Sequence, residues 1–116
     1  MINYDGRRFR ALTDDGSEGP VAEWHQESDV VWGVFSGGHV RKGTLTGLCR
    51  RDGSLEFTYC MVLEGGRVIC GRSFSVPDRL EDGRIRLTER FERYGPDAAT
   101  GVSYLEEIAA TSTRED

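Results

Sequence analysis

The stretch "SLEFTYCMVLEGGRVICGRSFSVP", residues 54–77, contains two runs of alternating side chains joined by a turn. Leu55, Phe57 and Tyr59 occupy every second position of the first run, the spacing that places side chains on one face of a β-strand. The tetrapeptide "EGGR" between the runs is typical of a short hairpin turn. The stretch therefore predicts two neighbouring antiparallel strands, over 54–64 and 67–77.

Turn signals of the same kind recur along the whole chain and indicate an all-β fold. They predict six further strands, at about 7–13, 20–27, 29–36, 39–50, 84–94 and 100–110. The links between the strands are short, so sequence neighbours are expected to pair as hairpins. A meander of about eight strands most naturally closes into an antiparallel up-and-down barrel of the calycin-like type, because closure removes exposed edges.

Chain length and charge limit the domain count and the partners. The 116 residues suffice for one domain, which we predict over 1–116 with an ordered core at about 4–110 and a flexible tail at 111–116. A net charge of −5, with basic and acidic residues interleaved, argues against a nucleic-acid partner. No apolar run approaches the length of a membrane span.

The N-terminal residues and the cysteines indicate the compartment. The start "MINYDGRRFR" lacks the apolar run of a secretory signal peptide. Three cysteines without CxxC spacing fit free thiols in a reducing environment better than a disulfide framework. We therefore expect a cytoplasmic protein.

Strand alternation sorts the side chains into an inner and an outer set. The larger and more apolar set is assigned to the interior: Val30, Trp32, Val34, Leu55, Phe57, Tyr59, Met61, Leu63, Val68, Cys70, Phe74, Val76, Ile85, Leu87, Phe91, Val102, Tyr104 and Ile108. The outer set is mostly polar, but it also holds apolar residues and glycines within strands: Val31, Phe35, Leu45, Val62, Ile69, Leu105, Gly33, Gly43, Gly47 and Gly71. These residues predict packing on another subunit as a homodimer or larger homo-oligomer, or else glycines that only permit curvature.

A carboxylate interrupts the inner set in "GRIRLTERFERY", residues 83–94. Glu89 stands in phase with Leu87 and Phe91, and Arg72 and Glu106 interrupt the inner phase of the adjacent strands in the same way. Unpaired buried charges are costly, so we expect these three side chains to contact one another. The predicted ligand-binding set is this cluster with an aromatic wall: Arg72, Glu89, Glu106, Trp32, Tyr59 and Tyr104. The alternative is a polar plug that fixes strand register, or charges at the rim.

No catalytic or metal-binding motif is visible. The sequence lacks a GxSxG nucleophile motif and a P-loop, and "SGG" and "EGG" fit hairpin turns better. His25 and His39 are 14 residues apart without matching ligands, so no metal site is predicted. We predict no catalytic residues and no cofactor.

Several motifs together carry a family resemblance: "NYDGRRFRAL", "HQESDVVWGVFSGGHVRKGTLTG", "DGSLEFTY" and "DGRIRLTERFE". With these motifs the chain resembles, from Tyr4 to about Glu107, a family of short bacterial proteins often labelled N-acetylglutamate synthase or related. That label implies an enzyme acting on acetyl-coenzyme A and glutamate. At the level of architecture, the predicted meander is similar to the lipocalin and avidin class of barrels, which bind small molecules inside.

Three functions follow as hypotheses. The first is a barrel that binds a small ligand in its interior and is not an enzyme. The second is a self-associating structural or partner-binding module with a filled barrel. The third is an enzyme related to N-acetylglutamate synthase.

Overall fold

Eight strands follow one another along the chain, and each pairs with the next in antiparallel fashion. The eighth strand also pairs with the first, so the sheet closes on itself in the computed structural model, which describes residues 2–13 and 18–109. The predicted all-β antiparallel up-and-down barrel is confirmed. The strands are β1 Arg8–Leu12, β2 Glu18–Glu27, β3 Val30–Gly37, β4 Val40–Cys49, β5 Leu55–Leu63, β6 Val68–Arg79, β7 Ile85–Arg93 and β8 Ala99–Glu107. A 3-10 helix, η1, covers Gly95–Asp97.

Glycine makes the turns that the sequence predicts. Gly53, Gly65 and Gly83 have φ angles of +86°, +86° and +90°, in the left-handed region that other residues rarely adopt. Each of them lies between two antiparallel strands, where the predicted hairpins reverse direction. The predicted tail at 111–116 lies outside the described residues, as does part of the link between the first two predicted strands.

One end of the barrel is filled by aromatic and aliphatic side chains, and we call it the packed end. Tyr4, Phe9 and Trp24 are fully buried there, with ring centroids about 6 Å apart. Leu55 and Leu87 complete this layer. The N-terminal segment, residues 2–7, covers the layer from outside. Its Tyr4 hydroxyl donates to the Gly53 carbonyl at 2.6 Å, and its Gly6 amide donates to the Trp24 carbonyl at 2.9 Å.

The predicted inner face is correct for β5 and β7. The buried side chains of these strands are Leu55, Phe57, Tyr59, Met61, Ile85 and Leu87. These strands have a clear apolar excess on one face, so alternation alone identifies the face that enters the core.

The predicted inner face is wrong for β3, β4, β6 and β8, which present the opposite face to the interior. On β4, Gly43 and Leu45 were expected outside and are buried inside the barrel. Trp32 and Val34 are exposed, as are Val68, Phe74 and Val76, whereas the inward residues are Val31, Gly33, Phe35, Ile69, Gly71, Ser73, Ser75, Ser103 and Leu105. Because side chains alternate with a period of two, one wrong assignment reverses every residue of a strand.

Cross-strand aromatic rings explain why small residues point inward. Gly71 lies directly opposite Tyr59, and a Cβ added to Gly71 would come within 2.6 Å of the Tyr59 hydroxyl oxygen. Gly101 lies opposite Phe91 in the same way, with the Phe91 Cζ atom 2.7 Å from such a Cβ. Further inward glycines also lie directly opposite aromatic residues, in the pairs Trp24–Gly33, Phe35–Gly43 and Phe57–Gly47. Gly43, Gly71 and Gly101 therefore make room for aromatic side chains inside the barrel, whereas Gly33 and Gly47 lie close to the backbone of the neighbouring strand.

Among the residues that the structure describes, no helix has the length and apolar character needed to cross a membrane.

Candidate functional site

The barrel interior opens into a cavity of about 410 Å³ at the end away from the N-terminal segment, which we call the cavity end. Its floor is formed by Phe9, Trp24 and Phe57, which also form the upper surface of the packed end. Apolar walls come from Phe35, Leu45, Met61 and Phe91, and polar side chains come from Tyr59, Glu89, Arg93 and Ser103. The cavity thus combines a mostly apolar lining with a small polar group, as small-molecule sites usually do.

Glu89 is held in the wall by two serines from the flanking strands. The Ser73 hydroxyl on β6 donates to Oε2 at 2.7 Å, and the Ser103 hydroxyl on β8 donates to Oε1 at 2.7 Å. Ser73 is buried and Ser103 is half-buried. A carboxylate accepts about four hydrogen bonds, so each oxygen keeps acceptor capacity toward the cavity. The carboxylate in the inner phase of β7 is therefore a positioned acceptor.

Tyr59 and Arg93 form a second polar group in the same cavity. Burial raises the pKa of the Tyr59 hydroxyl, and the nearby Arg93 guanidinium opposes that rise through its charge and a hydrogen bond. The Arg93 guanidinium carbon also lies 5.6 Å from the centre of the Phe91 ring. Tyr59 and Arg93 together offer hydrogen-bond donors, including one positive charge, to a molecule in the cavity.

Trp24 contributes a buried donor at the floor. Its side chain is fully buried, and its indole N–H has no hydrogen-bond partner among the described residues. The ring is fixed by an edge-on contact with Phe57, with centroids 5.4 Å apart. Buried donors normally have a hydrogen-bond partner, so the unpaired Trp24 N–H is an exception within this interior.

The predicted cluster of Arg72, Glu89 and Glu106 does not form, because only Glu89 faces the interior. Arg72 is exposed on the outer face of β6, one residue out of phase with Ser73. Glu106 accepts a hydrogen bond from Arg84 at 3.2 Å near the packed end. The predicted inner phase of β6 and β8 is wrong, and Ser73 and Ser103 take the inward positions beside Glu89.

The predicted aromatic wall is correct in position only for Tyr59. Trp32 is 40% exposed and stacks on His25 outside the barrel, with ring centroids 5.8 Å apart. Tyr104 borders the cavity at its rim and is 40% exposed. The guanidinium carbon of Arg86 lies 4.7 Å from the centre of its ring. Ligand binding by Tyr59 and Glu89 remains a prediction.

The sequence alone did not identify Ser103, Arg93 and Trp24 as residues that line the cavity, or Ser73 as a hydrogen-bond partner of Glu89. The missed signal was the pairing of strand glycines with aromatic residues on the next strand. Gly71 opposite Tyr59 places Ser73 inward, and Gly101 opposite Phe91 places Ser103 inward. Pairing each strand glycine with the aromatic residue of the next strand predicts the correct inner face of β6 and β8.

A family model described as "Avidin-like protein" matches residues 2–108, nearly the whole described chain. The chain belongs to the avidin-like family. The match agrees with the closed eight-strand barrel and with the predicted similarity to lipocalin and avidin barrels. A search of curated proteins gave no match.

The family match does not show the N-acetylglutamate synthase activity that the sequence resemblance implies. An acetyltransferase activity therefore stays a prediction, and an assay for coenzyme A released from acetyl-coenzyme A and glutamate would test it. Among the described residues, no group of three or more His, Cys, Asp or Glu side chains could hold a metal ion. The cytoplasmic location also stays a prediction.

Proposed function

We propose that this avidin-like barrel binds a small organic molecule in its interior without converting it chemically. The observation that supports this most strongly is the cavity of about 410 Å³. An eight-stranded barrel is just wide enough either to be filled by its own side chains or to hold one small ligand. Here the packed end is filled, and the cavity end is not.

The lining defines the ligand class that we propose. Phe35, Leu45 and Met61 suit an apolar body, and Glu89 suits a group that carries N–H or O–H donors. The Trp24 N–H at the floor and the Tyr59–Arg93 group suit acceptor atoms. We therefore infer a compact, partly apolar molecule with both donors and acceptors.

The position of Trp24 provides a direct binding assay. The chain has two tryptophans, and only Trp24 lines the cavity, since Trp32 lies outside. In a Trp32→Phe variant, a ligand in the cavity is expected to change the remaining fluorescence with saturable dependence on concentration. The matched Trp24→Phe variant keeps Trp32 and is expected to show no such change. A change that is equal in both variants would contradict binding inside the barrel.

A thermal-shift screen against small metabolites identifies candidates, because a ligand that binds only the native state raises the melting temperature. Ala22 is buried and lines the cavity, so an Ala22→Leu variant reduces the volume. This variant is expected to keep its unliganded melting temperature within a few degrees and to lose the ligand-induced shift. A shift that survives in this variant would place the ligand elsewhere.

A second candidate function is self-association, which the exposed apolar residues of β3 and β4 favour. Val30, Trp32 and Val34 are 40–47% exposed, and Leu48, directly opposite Val30, is 44% exposed. The residues that the sequence predicts for this surface lie inside the barrel instead: Val31, Phe35, Leu45 and Ile69. The proposed surface is therefore the outer β3–β4 patch of Val30, Trp32, Val34 and Leu48.

Light scattering after size-exclusion chromatography tests this second candidate. A Trp32→Asp variant is expected to shift an oligomer toward the monomer, because a charge within an apolar interface is costly. Val102, 56% exposed on β8, is a matched position outside the patch, and Val102→Asp is expected to leave the mass unchanged. A monomeric wild-type protein at high micromolar concentration would contradict self-association.

A further inference from the structure

The outer wall of the β5–β6 hairpin carries two thiols directly opposite each other. Cys60 on β5 pairs in register with Cys70 on β6. Both are free cysteines, Cys60 exposed and Cys70 half-buried. Neither side chain belongs to the cavity, so the pair is a feature separate from the proposed ligand site.

The hydrogen-bond pattern of the hairpin shows that the two cysteines form a cross-strand pair with a short separation. The Leu63 amide donates to the Arg67 carbonyl at 2.8 Å, so Leu63 and Arg67 form a hydrogen-bonded pair. Hydrogen-bonded and non-hydrogen-bonded pairs alternate along antiparallel strands, and Cys60–Cys70 lies three rungs further on. It is therefore a non-hydrogen-bonded pair, with Cα atoms typically about 4.5 Å apart and side chains close together.

This separation falls within the range of disulfide-bonded cysteines. Bridged Cα atoms are usually about 4.4–6.8 Å apart, so the rung lies near the short limit. A hydrogen bond with Cys70 also raises the pKa of the Cys60 thiol, which agrees with sulfur atoms in mutual reach. No large backbone movement is needed to join them.

We propose that Cys60 and Cys70 form a reversible cross-strand disulfide by exchange with a small-molecule disulfide such as glutathione disulfide. The exposed Cys60 thiolate attacks one sulfur of glutathione disulfide, forms a mixed disulfide and releases one glutathione thiolate. The Cys70 thiolate then attacks the Cys60 sulfur, closes the protein disulfide and expels the second glutathione. Two electrons pass from the protein to glutathione disulfide, and the two thiol protons end on two glutathione molecules.

A disulfide fits this pair better than a metal ion does. Zinc in structural sites takes four ligands, and two thiolates supply only half of them. Within residues 2–13 and 18–109, no third His, Cys, Asp or Glu groups with the pair. A disulfide that is exposed and bridges a short Cα separation is also the kind that reductants open readily.

The third cysteine, Cys49, serves as an internal control for thiol reactivity. Cys49 is buried at the packed end, where its sulfur lies 3.7 Å from the Ile2 carbonyl oxygen. Burial shields the Cys49 sulfur from glutathione disulfide, and disulfide exchange requires access to the attacking sulfur. Cys49 is therefore expected to stay reduced while the other two cysteines react.

The test treats the reduced wild-type protein with glutathione disulfide, blocks remaining thiols after unfolding, and measures intact mass and peptides. The expected product has lost two hydrogen atoms, contains a peptide cross-link between Cys60 and Cys70, and keeps one of its three thiols for the blocking reagent. Dithiothreitol is expected to restore all three thiols. A persistent glutathione adduct on the wild-type protein, or a disulfide-linked dimer, would overturn the proposal.

Single substitutions separate the two exchange steps. In Cys70→Ser the second thiol is missing, so glutathione is expected to stay on Cys60. The matched Cys49→Ala variant is expected to form the Cys60–Cys70 bond as the wild-type protein does. Loss of the bond in folded Cys49→Ala, or glutathione leaving Cys60 in Cys70→Ser at the wild-type rate, would contradict the mechanism. Peptide mapping of the wild-type protein decides the proposal even where a variant does not fold.

Discussion

The packed end and the cavity end are built from the same eight strands, yet they differ in what fills them. At the packed end, Tyr4 enters from outside the strands and forms a closely packed aromatic layer with Phe9 and Trp24. At the cavity end, Tyr59 and Glu89 line an unfilled volume with polar atoms. Strand alternation thus supplies an inner face along the full length of the barrel. Side-chain size and an added chain segment decide which part of that face becomes core.

The largest expected difference between the two ends concerns stability. Leu87 is fully buried at the packed end, so Leu87→Ala is expected to lower the free energy of unfolding by about 3–5 kcal/mol. Met61 already borders the cavity, so Met61→Ala is expected to cost about 2 kcal/mol, at the low end for such a change. Urea unfolding followed by circular dichroism measures both. Equal losses would contradict the division of the interior into two ends.

The next effect concerns ligand binding at the cavity end. Glu89→Gln replaces a charged acceptor, and hydrogen bonds to charged groups are worth about 1.5–3 kcal/mol, so affinity is expected to fall at least tenfold. Glu92, exposed on the same strand, gives the matched control Glu92→Gln with unchanged affinity. Isothermal titration with a molecule found in the thermal-shift screen measures both. If Glu92→Gln weakens binding as much as Glu89→Gln, the effect does not arise inside the cavity.

The packed end is expected to respond to alkaline pH through Tyr4. Burial raises the pKa of this hydroxyl well above its ordinary range. The unfolded chain therefore loses the Tyr4 proton above about pH 10, while the folded protein keeps it. The stability that results is fully present below about pH 10 and is lost as the pH rises toward the folded-state pKa.

Tyr4→Phe isolates that effect. The variant loses the hydrogen bond to the Gly53 carbonyl, which is expected to cost about 1 kcal/mol at neutral pH. Its stability is also expected to fall less steeply than that of the wild-type protein between about pH 10 and 11. Urea midpoints across this range measure the slope. Parallel slopes for the two proteins would show that Tyr4 is not responsible.

The smallest expected effect distinguishes two strand glycines. A Cβ at Gly101 would meet only the tip of the Phe91 ring, which can tilt into the cavity, so Gly101→Ala is expected to cost less than about 1 kcal/mol. A Cβ at Gly47 would meet the backbone of Glu56 and Phe57, which cannot move aside. Gly47→Ala is therefore expected to be the more destabilising variant in thermal unfolding. The reverse order would contradict the explanation of the inward glycines.

The barrel and its turns could be predicted from the sequence, because Asp-Gly and Gly-Gly signals and alternation are local features. The inner faces of β5 and β7 could be predicted for the same reason, and with them the inward Glu89. The faces of β3, β4, β6 and β8 were not identified from apolar content. On β6, for example, Val68 and Phe74 lie outside and Ser73 and Gly71 lie inside. Their assignment depends on which residue lies opposite which, and that is a property of the sheet.

The reversed inner face of β6 and β8 also explains why the predicted partners of Glu89 are wrong. Ser73 and Ser103 are one residue away from Arg72 and Val102, so a reversed phase exchanges a hydroxyl pair for a charge and an aliphatic side chain. The inward position of the Glu89 carboxylate could thus be inferred from the sequence, but its hydrogen-bond partners could not.

The aromatic–glycine pairs have a consequence for how such a barrel could acquire a new specificity. In most cores a change of side-chain size requires a compensating change in the residue that packs against it. Tyr59 and Phe91 lie opposite glycines, which have no side chain that must repack. Each ring can therefore be exchanged for a smaller or differently shaped side chain in a single evolutionary step, while the hydrogen-bonded strands stay as they are.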